Sequence, residues 1–167
     1  MPGVIHHYLA ADHDRLEELL GEAIAIPGRI ERVPFDAFRE GLLRHIAMEE
    51  KVLLPTIARL QGGRPSAAAG RIRLDHGAIA SLLVPPPSPS IVATLRFILE
   101  GHNRLEEDDG GVYRLAEELS GAEAGDVLNQ LIAVPAVPVR PYNENPDVLE
   151  STRRAVERAG YVMQVGP

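Results

Sequence analysis

The chain contains no cysteine and no tryptophan, has few other aromatics, and shows no apolar run near the roughly 20 residues that a membrane-spanning helix needs. Without cysteine, a disulfide framework, a thiolate zinc site, iron–sulfur ligation and a cysteine nucleophile are excluded, so any metal must be held by nitrogen and oxygen. The formal net charge of −7 and the scarcity of aromatics argue against a basic groove with base-stacking platforms, and nucleic acid is not an expected partner. No membrane partner is expected, and the first residues lack a signal-peptide layout, so the expected location is cytoplasmic. A length of 167 residues suits one main domain with its own apolar core.

Turn-forming clusters divide the chain at Pro27-Gly28, Gly62-Gly63-Arg64-Pro65 and Pro85-Pro86-Pro87-Ser88-Pro89, with softer breaks at Gly110-Gly111 and Ser120-Gly121. Between them apolar residues recur at helical spacing: Leu9, Leu16, Leu20 and Ile24; Phe35, Phe38, Leu42 and Val52; Ala69, Ile72, Ile79 and Leu83; Ile91, Leu95, Ile98, Tyr113 and Ala116. None shows the alternation of a strand. The expected fold is all-α, an up-and-down four-helix bundle over residues 1–120, because short connections make sequential amphipathic helices antiparallel neighbours. Pro55 falls inside the second pattern and predicts a kink or an early end.

Residues 121–167 form an expected C-terminal extension. It reads as a short helix within 122–133, a proline-rich extended stretch over 134–141, and a terminal helix opened by Asn145-Pro146-Asp147 and closed by Gly160. The extension is expected to pack on the bundle or on a second subunit, as in a homodimer.

The apolar stripes are interrupted almost only by histidine and glutamate: Leu9-His13-Leu16, Leu42-His45-Glu49-Val52, Ile72-His76-Ile79 and Ile98-His102-Glu106. A polar residue on a buried face costs free energy unless something satisfies it. An internal repeat supports a common purpose. Asp12-His13 returns as Asp75-His76 and His45-x-x-x-Glu49-Glu50 as His102-x-x-x-Glu106-Glu107, 63 residues later (13 to 76) and 57 later (45 to 102). Residues four apart share a helix face, so each His-x-x-x-Glu pair can reach one site.

Four imidazoles and two carboxylates exceed the needs of one tetrahedral zinc. Two ions fit better, each with two imidazoles, both carboxylates shared, and an oxo or hydroxo group completing the shell. The mixed nitrogen and oxygen set suits a pair of non-haem iron ions, with manganese or zinc as alternatives. The expected metal ligands are His13, His45, Glu49, His76, His102 and Glu106, and no separate catalytic side chain is assigned.

The pattern H…HxxxE…H…HxxxE, together with the Glu-Glu-Lys-Val-Leu-Leu-Pro run ending at Pro55, resembles the hemerythrin-like HHE cation-binding domains over roughly residues 3–118. The resemblance implies a bundle holding non-haem di-iron that reacts with dioxygen, nitric oxide or peroxide, or that responds to iron itself. One departure is Ala80, where oxygen-carrying hemerythrins have a second histidine four residues after the first. Those carriers also place the last carboxylate five residues after its histidine, which would be Glu107, whereas the internal repeat points to Glu106.

Several neighbours have two readings. His6 could line the mouth of the site or act as an extra ligand, with a place facing the bundle end favoured. Tyr113 could bond a metal-bound species, with core packing the favoured role. Asp12 and Asp75 could orient imidazoles, with surface salt bridging favoured because adjacent helix positions point about 100° apart. Glu50, Glu107, Asp108 and Asp109 read as a solvated acidic face or as acids that attract cations toward the site. Three functions remain open: a di-iron protein that binds or consumes dioxygen, nitric oxide or peroxide; an iron store or sensor without turnover; and a scaffold whose terminal helix engages a partner while the metal is merely structural.

Overall fold

A computed structural model of the protein describes residues 1–166; position 167 of the extension lies outside the described residues. The elements, in order, are α1 (Val4–Ala23), α2 (Arg32–Met48), a π-helical turn (Glu49–Leu53), α3 (Leu54–Leu60), α4 (Ala69–Leu82), α5 (Pro89–Glu107), α6 (Val112–Ser120), a 3-10 turn (Gly121–Glu123), α7 (Ala124–Ile132) and α8 (Pro146–Arg158). No strand occurs among the described residues, and no helix there is long and apolar enough to cross a membrane.

Helical spacing of the apolar residues explains the assembly, since each stripe has to be buried against another. Two apolar clusters result. One gathers Ile5, Leu9, Met48, Leu53, Ile57 and Ile72; the other gathers Leu16, Leu20, Phe38, Leu42, Ile79 and Leu95. Between them His13, His45, Glu49, His76, His102 and Glu106 are all buried. The interruptions in the sequence pattern are therefore a polar layer across the middle of the core.

Two helix boundaries differ from expectation. The second segment neither simply kinks nor stops at Pro55; α2 gives way earlier, to the π turn, and α3 resumes with Pro55 in its first turn. Proline has no N–H for the carbonyl four residues back, and the wider turn upstream, where Leu54 N–H bonds to the Glu49 carbonyl, absorbs the mismatch. The fourth stripe is not one helix either. The chain turns after Asp108, with Gly111 N–H bonded to the Asp108 carbonyl at 2.6 Å, and Tyr113 and Ala116 sit on the separate α6. Only glycine fits at 111, because a Cβ there would meet the Glu106 carbonyl oxygen at 2.3 Å.

The extension packs on its own bundle. Arg44 donates to the carbonyls of Ile132 and Val134, Asn143 N–H bonds to the Val84 carbonyl, and Thr152 bonds to the Ser81 carbonyl. Asn145 caps α8 by accepting from Asp147 N–H at 3.0 Å, and Gly160 ends it at φ 90°.

Candidate metal centre

The six residues singled out by the repeat come together. His13, His45, Glu49 and Glu106 each offer a ligand atom within 4.8 Å of the others, and so do Glu49, His76, His102 and Glu106. Both glutamates are common to the two groups. The imidazoles pair accordingly, with ring centroids 4.4 Å apart for His13 and His45 and 4.9 Å for His76 and His102.

Orientation comes from four further carboxylates. Asp12 of α1 accepts from His45 Nδ1 at 2.8 Å; Glu50 of the π turn accepts from His76 Nδ1 at 2.7 Å; Asp75 of α4 accepts from His102 Nδ1 at 3.2 Å; Glu107 of α5 accepts from His13 Nδ1. Each carboxylate stands next in sequence to an inward residue and serves the histidine of the next helix, so the contacts run α1 to α2 to α4 to α5 and back to α1. This corrects the surface reading of Asp12 and Asp75 and the solvated-face reading of Glu50 and Glu107. A step of about 100° turns a side chain away from its own neighbour and toward the adjacent helix. Arginines brace three of these acids on the other oxygen: Arg15 on Asp12, Arg73 on Glu50 and Arg71 on Asp75.

An ionised carboxylate only accepts, so each Nδ1 carries a proton, and a ring that gives up any proton on Nε2 presents a lone pair inward. Glu49 and Glu106 add more acceptors. Glu106 Oε1 lies 3.0 Å from His102 Nε2 yet has no hydrogen bond of acceptable direction. A buried centre made of acceptors, with one orphaned carboxylate oxygen, fits a cation.

Titration behaviour carries the same sign. Burial pushes the His45 pKa down, but the Glu49 charge and the bond to Asp12 outweigh it and lift the value to about 10. For His102 burial is likewise outweighed, by the bond to Asp75 and the nearby Glu106 carboxylate, and the value again reaches about 10. Burial opposes ionisation of Glu49, but His45 and His76 hold its carboxyl well below the usual range. Burial and the Glu49 charge raise Glu106. The centre attracts positive charge, and a metal ion entering it must displace protons.

Tyr113 belongs to this centre rather than to ordinary packing. Its hydroxyl donates to Glu49 at 2.5 Å and lies 3.1 Å from both His13 Nε2 and His45 Nε2 and 3.2 Å from Glu106. Burial and the two glutamates raise its pKa well above the usual value. Sequence spacing placed it near the Glu106 stripe but favoured core packing, because the turn that separates α5 from α6 and brings the hydroxyl inward is not visible in the helical period. His6 stays outside the six: its Nε2 lies 3.0 Å from the Glu107 carbonyl oxygen and its ring stands edge-on to Tyr113. Asp109 is a surface residue paired with Arg114.

A cleft of about 760 Å³ lies between α1 and α5 and reaches His13 and Glu107, with Leu16, Leu42 and Leu99 among its walls. Glu107, 35% exposed, is the least covered of the four orienting acids.

Residues 4–84 match the hemerythrin HHE cation binding domain family, a span that holds His13, His45, Glu49 and His76. Over 127 residues, 63% of the chain, it is 29% identical to the iron-sulfur cluster repair protein YtfE of Cronobacter sakazakii (strain ATCC BAA-894). The match covers 57% of that relative, so the chain spans little more than half its length. No solved structure matches the chain.

Proposed function

We propose that the chain, whose residues 4–84 match the hemerythrin HHE cation binding domain family, is a non-haem di-iron protein that binds or consumes a small oxidant: dioxygen, nitric oxide or peroxide. The carrying observation is the pair of four-atom groups that share Glu49 and Glu106. His13 and His45 would hold one ion and His76 and His102 the other, with Glu49 and Glu106 available to both. When bound, two adjacent irons would supply the electrons for reaction with a small oxidant. Manganese or zinc would fit the same atoms, and iron suits a redox role.

The chain's own residues have separate tasks. Asp12, Glu50, Asp75 and Glu107 hold the imidazoles in the ligating tautomer. The two apolar clusters keep bulk water from the polar layer. The cleft at His13 admits the reactant. Tyr113 places a hydroxyl on the His13 and His45 side only, where it can donate to Glu49 or to a reactant. Ala80 leaves the His76 side without a second histidine one turn on, and reversible oxygen carriage is not proposed.

Elemental analysis with an absorption spectrum of freshly purified protein tests the reading. About two irons per chain are expected, lost in part in His45→Ala and in His102→Ala. One zinc, or no metal, rejects it. Peroxide or nitric oxide decay at many equivalents per protein marks turnover.

The second reading is an iron store or sensor, favoured by the name of the Cronobacter relative, an iron-sulfur cluster repair protein. A single stoichiometric change with oxidant supports it.

A further inference from the structure

Besides Tyr113, the internal repeat is broken at Asp75. Asp12 and Asp75 occupy equivalent positions, and each accepts from a ligand histidine through Oδ2 and from an arginine through Oδ1. Asp12 is 13% exposed and served from its own helix by Arg15. Asp75 is fully buried, and its Oδ1 receives a further donor from outside the bundle: the Tyr161 hydroxyl, at 2.9 Å. Arg71 reaches the same oxygen with Nε at 3.1 Å and Nη2 at 2.6 Å.

Tyr161 follows α8, in the extension, beyond the span matched by the family. Its placement is fixed from several sides. Val156 and Ala159 of the same segment are buried, and the Ala159 carbonyl accepts from Arg71 Nη2 at 2.5 Å. The Tyr161 ring stands edge-on to Phe97 of α5 at 6.3 Å, under the Arg71 guanidinium. Gln164 ties the following residues to α5, its N–H donating to Thr94 Oγ1 and its carbonyl accepting from Ser90. Arg71 and Tyr161 together saturate Oδ1, which leaves Oδ2 as the only Asp75 oxygen free to serve His102.

We propose that the segment from α8 to Gln164 is a positioning element of the metal centre: Tyr161, acting through Asp75 on His102, sets the affinity of the His76 and His102 half independently of the His13 and His45 half. The proposal rests on the two-metal reading above. A carboxylate held by three donors on one oxygen cannot swing, so the imidazole it holds keeps its Nε2 aimed at the metal. Loss of an outer partner of a ligating histidine typically lowers metal affinity about 10- to 100-fold, and with Arg71 retained the lower end is expected.

The test uses the full chain and ferrous iron, with stepwise affinities read by chelator competition and absorbance. In Tyr161→Phe one of two iron equivalents weakens about tenfold, and the other keeps its wild-type affinity. Tyr142→Phe, which removes another extension hydroxyl but one bonded to Asp36, is the control and changes neither. Asp12→Asn weakens the equivalent that Tyr161→Phe spares. Arg71→Lys keeps the charge but not the two-pronged contact, and weakens the same equivalent as Tyr161→Phe; it carries the test if Tyr161→Phe fails to fold. Wild-type affinities in both Tyr161→Phe and Arg71→Lys overturn the proposal, as does equal weakening of both equivalents. Wild-type protein that binds no iron rejects the two-metal reading itself and the positioning role with it.

Discussion

The Tyr113 hydroxyl donates to Glu49 Oε1 at 2.5 Å across 64 residues of sequence, from a helix outside the four that carry the histidines. That bond puts a protic group on the His13 and His45 side of the centre only.

Removing that hydroxyl leaves Glu49 with one donor fewer while the ring still fills its place. Tyr113→Phe is expected to cost the metal-free protein roughly 1–3 kcal/mol, the penalty for a buried acceptor losing its partner. Urea unfolding measures it. With iron bound, the absorption spectrum should shift while the metal count stays the same. A variant with wild-type stability and spectrum would place Tyr113 outside the centre.

Gly111 permits the turn that brings Tyr113 in. Gly111→Ala would set a Cβ against the Glu106 carbonyl oxygen, and overpacking of this kind costs typically 1–3 kcal/mol. The backbone shift that relieves it moves α6, so the spectrum of iron-loaded Gly111→Ala should resemble that of Tyr113→Phe. A wild-type spectrum counts against the arrangement.

The adjacent glutamates should separate cleanly in metal counts. Glu106 and Glu49 each belong to both four-atom groups, so Glu106→Gln and Glu49→Gln should lose both equivalents. Glu107 faces His13 Nδ1, on the far side of the imidazole from the metal, and Glu107→Gln should keep two irons with weaker binding of one. Elemental analysis after dialysis against a weak chelator decides; equal losses in Glu106→Gln and Glu107→Gln would contradict the geometry.

Metal-free protein should lose stability as the medium turns alkaline. His45 and His102 have folded pKa values raised from 6.5 to about 10, so their contribution is complete below about pH 6.5 and is lost as the pH rises through 10. Glu49, Asp12 and Asp75 are lowered, so theirs is present above the ordinary carboxylate range and is lost as the pH falls through the depressed values. Urea midpoints should therefore peak near neutral pH and fall toward pH 10. Iron binding has the opposite trend over pH 6 to 8, because each ion displaces protons. Midpoints that stay flat from pH 7 to 10 would mean these imidazoles are neutral in the fold.

Much of this protein is written locally. The four amphipathic stripes, the turn clusters between them and the Asn145-Pro146 start of α8 are short-range patterns, readable because helix period and capping depend on neighbours within one or two turns. The six inward residues are legible for the same reason: each breaks an apolar stripe, and the break recurs in both halves. Even the orienting acids have a local mark, since Asp12, Glu50, Asp75 and Glu107 each adjoin an inward residue.

What those acids do was decided only in three dimensions. A side chain one position along a helix points toward whichever helix lies beside it, and the sequence does not name that neighbour. The turn at Gly111 likewise carries Tyr113 back to Glu106, although seven residues along one continuous helix would have carried it about 10 Å away. Tyr161 reaches Asp75 only because the extension folds over α4 and α5. Composition and period determined that six ligand-type residues would lie inside a helical bundle; packing between distant segments decided which partners orient them and where the twofold pattern ends.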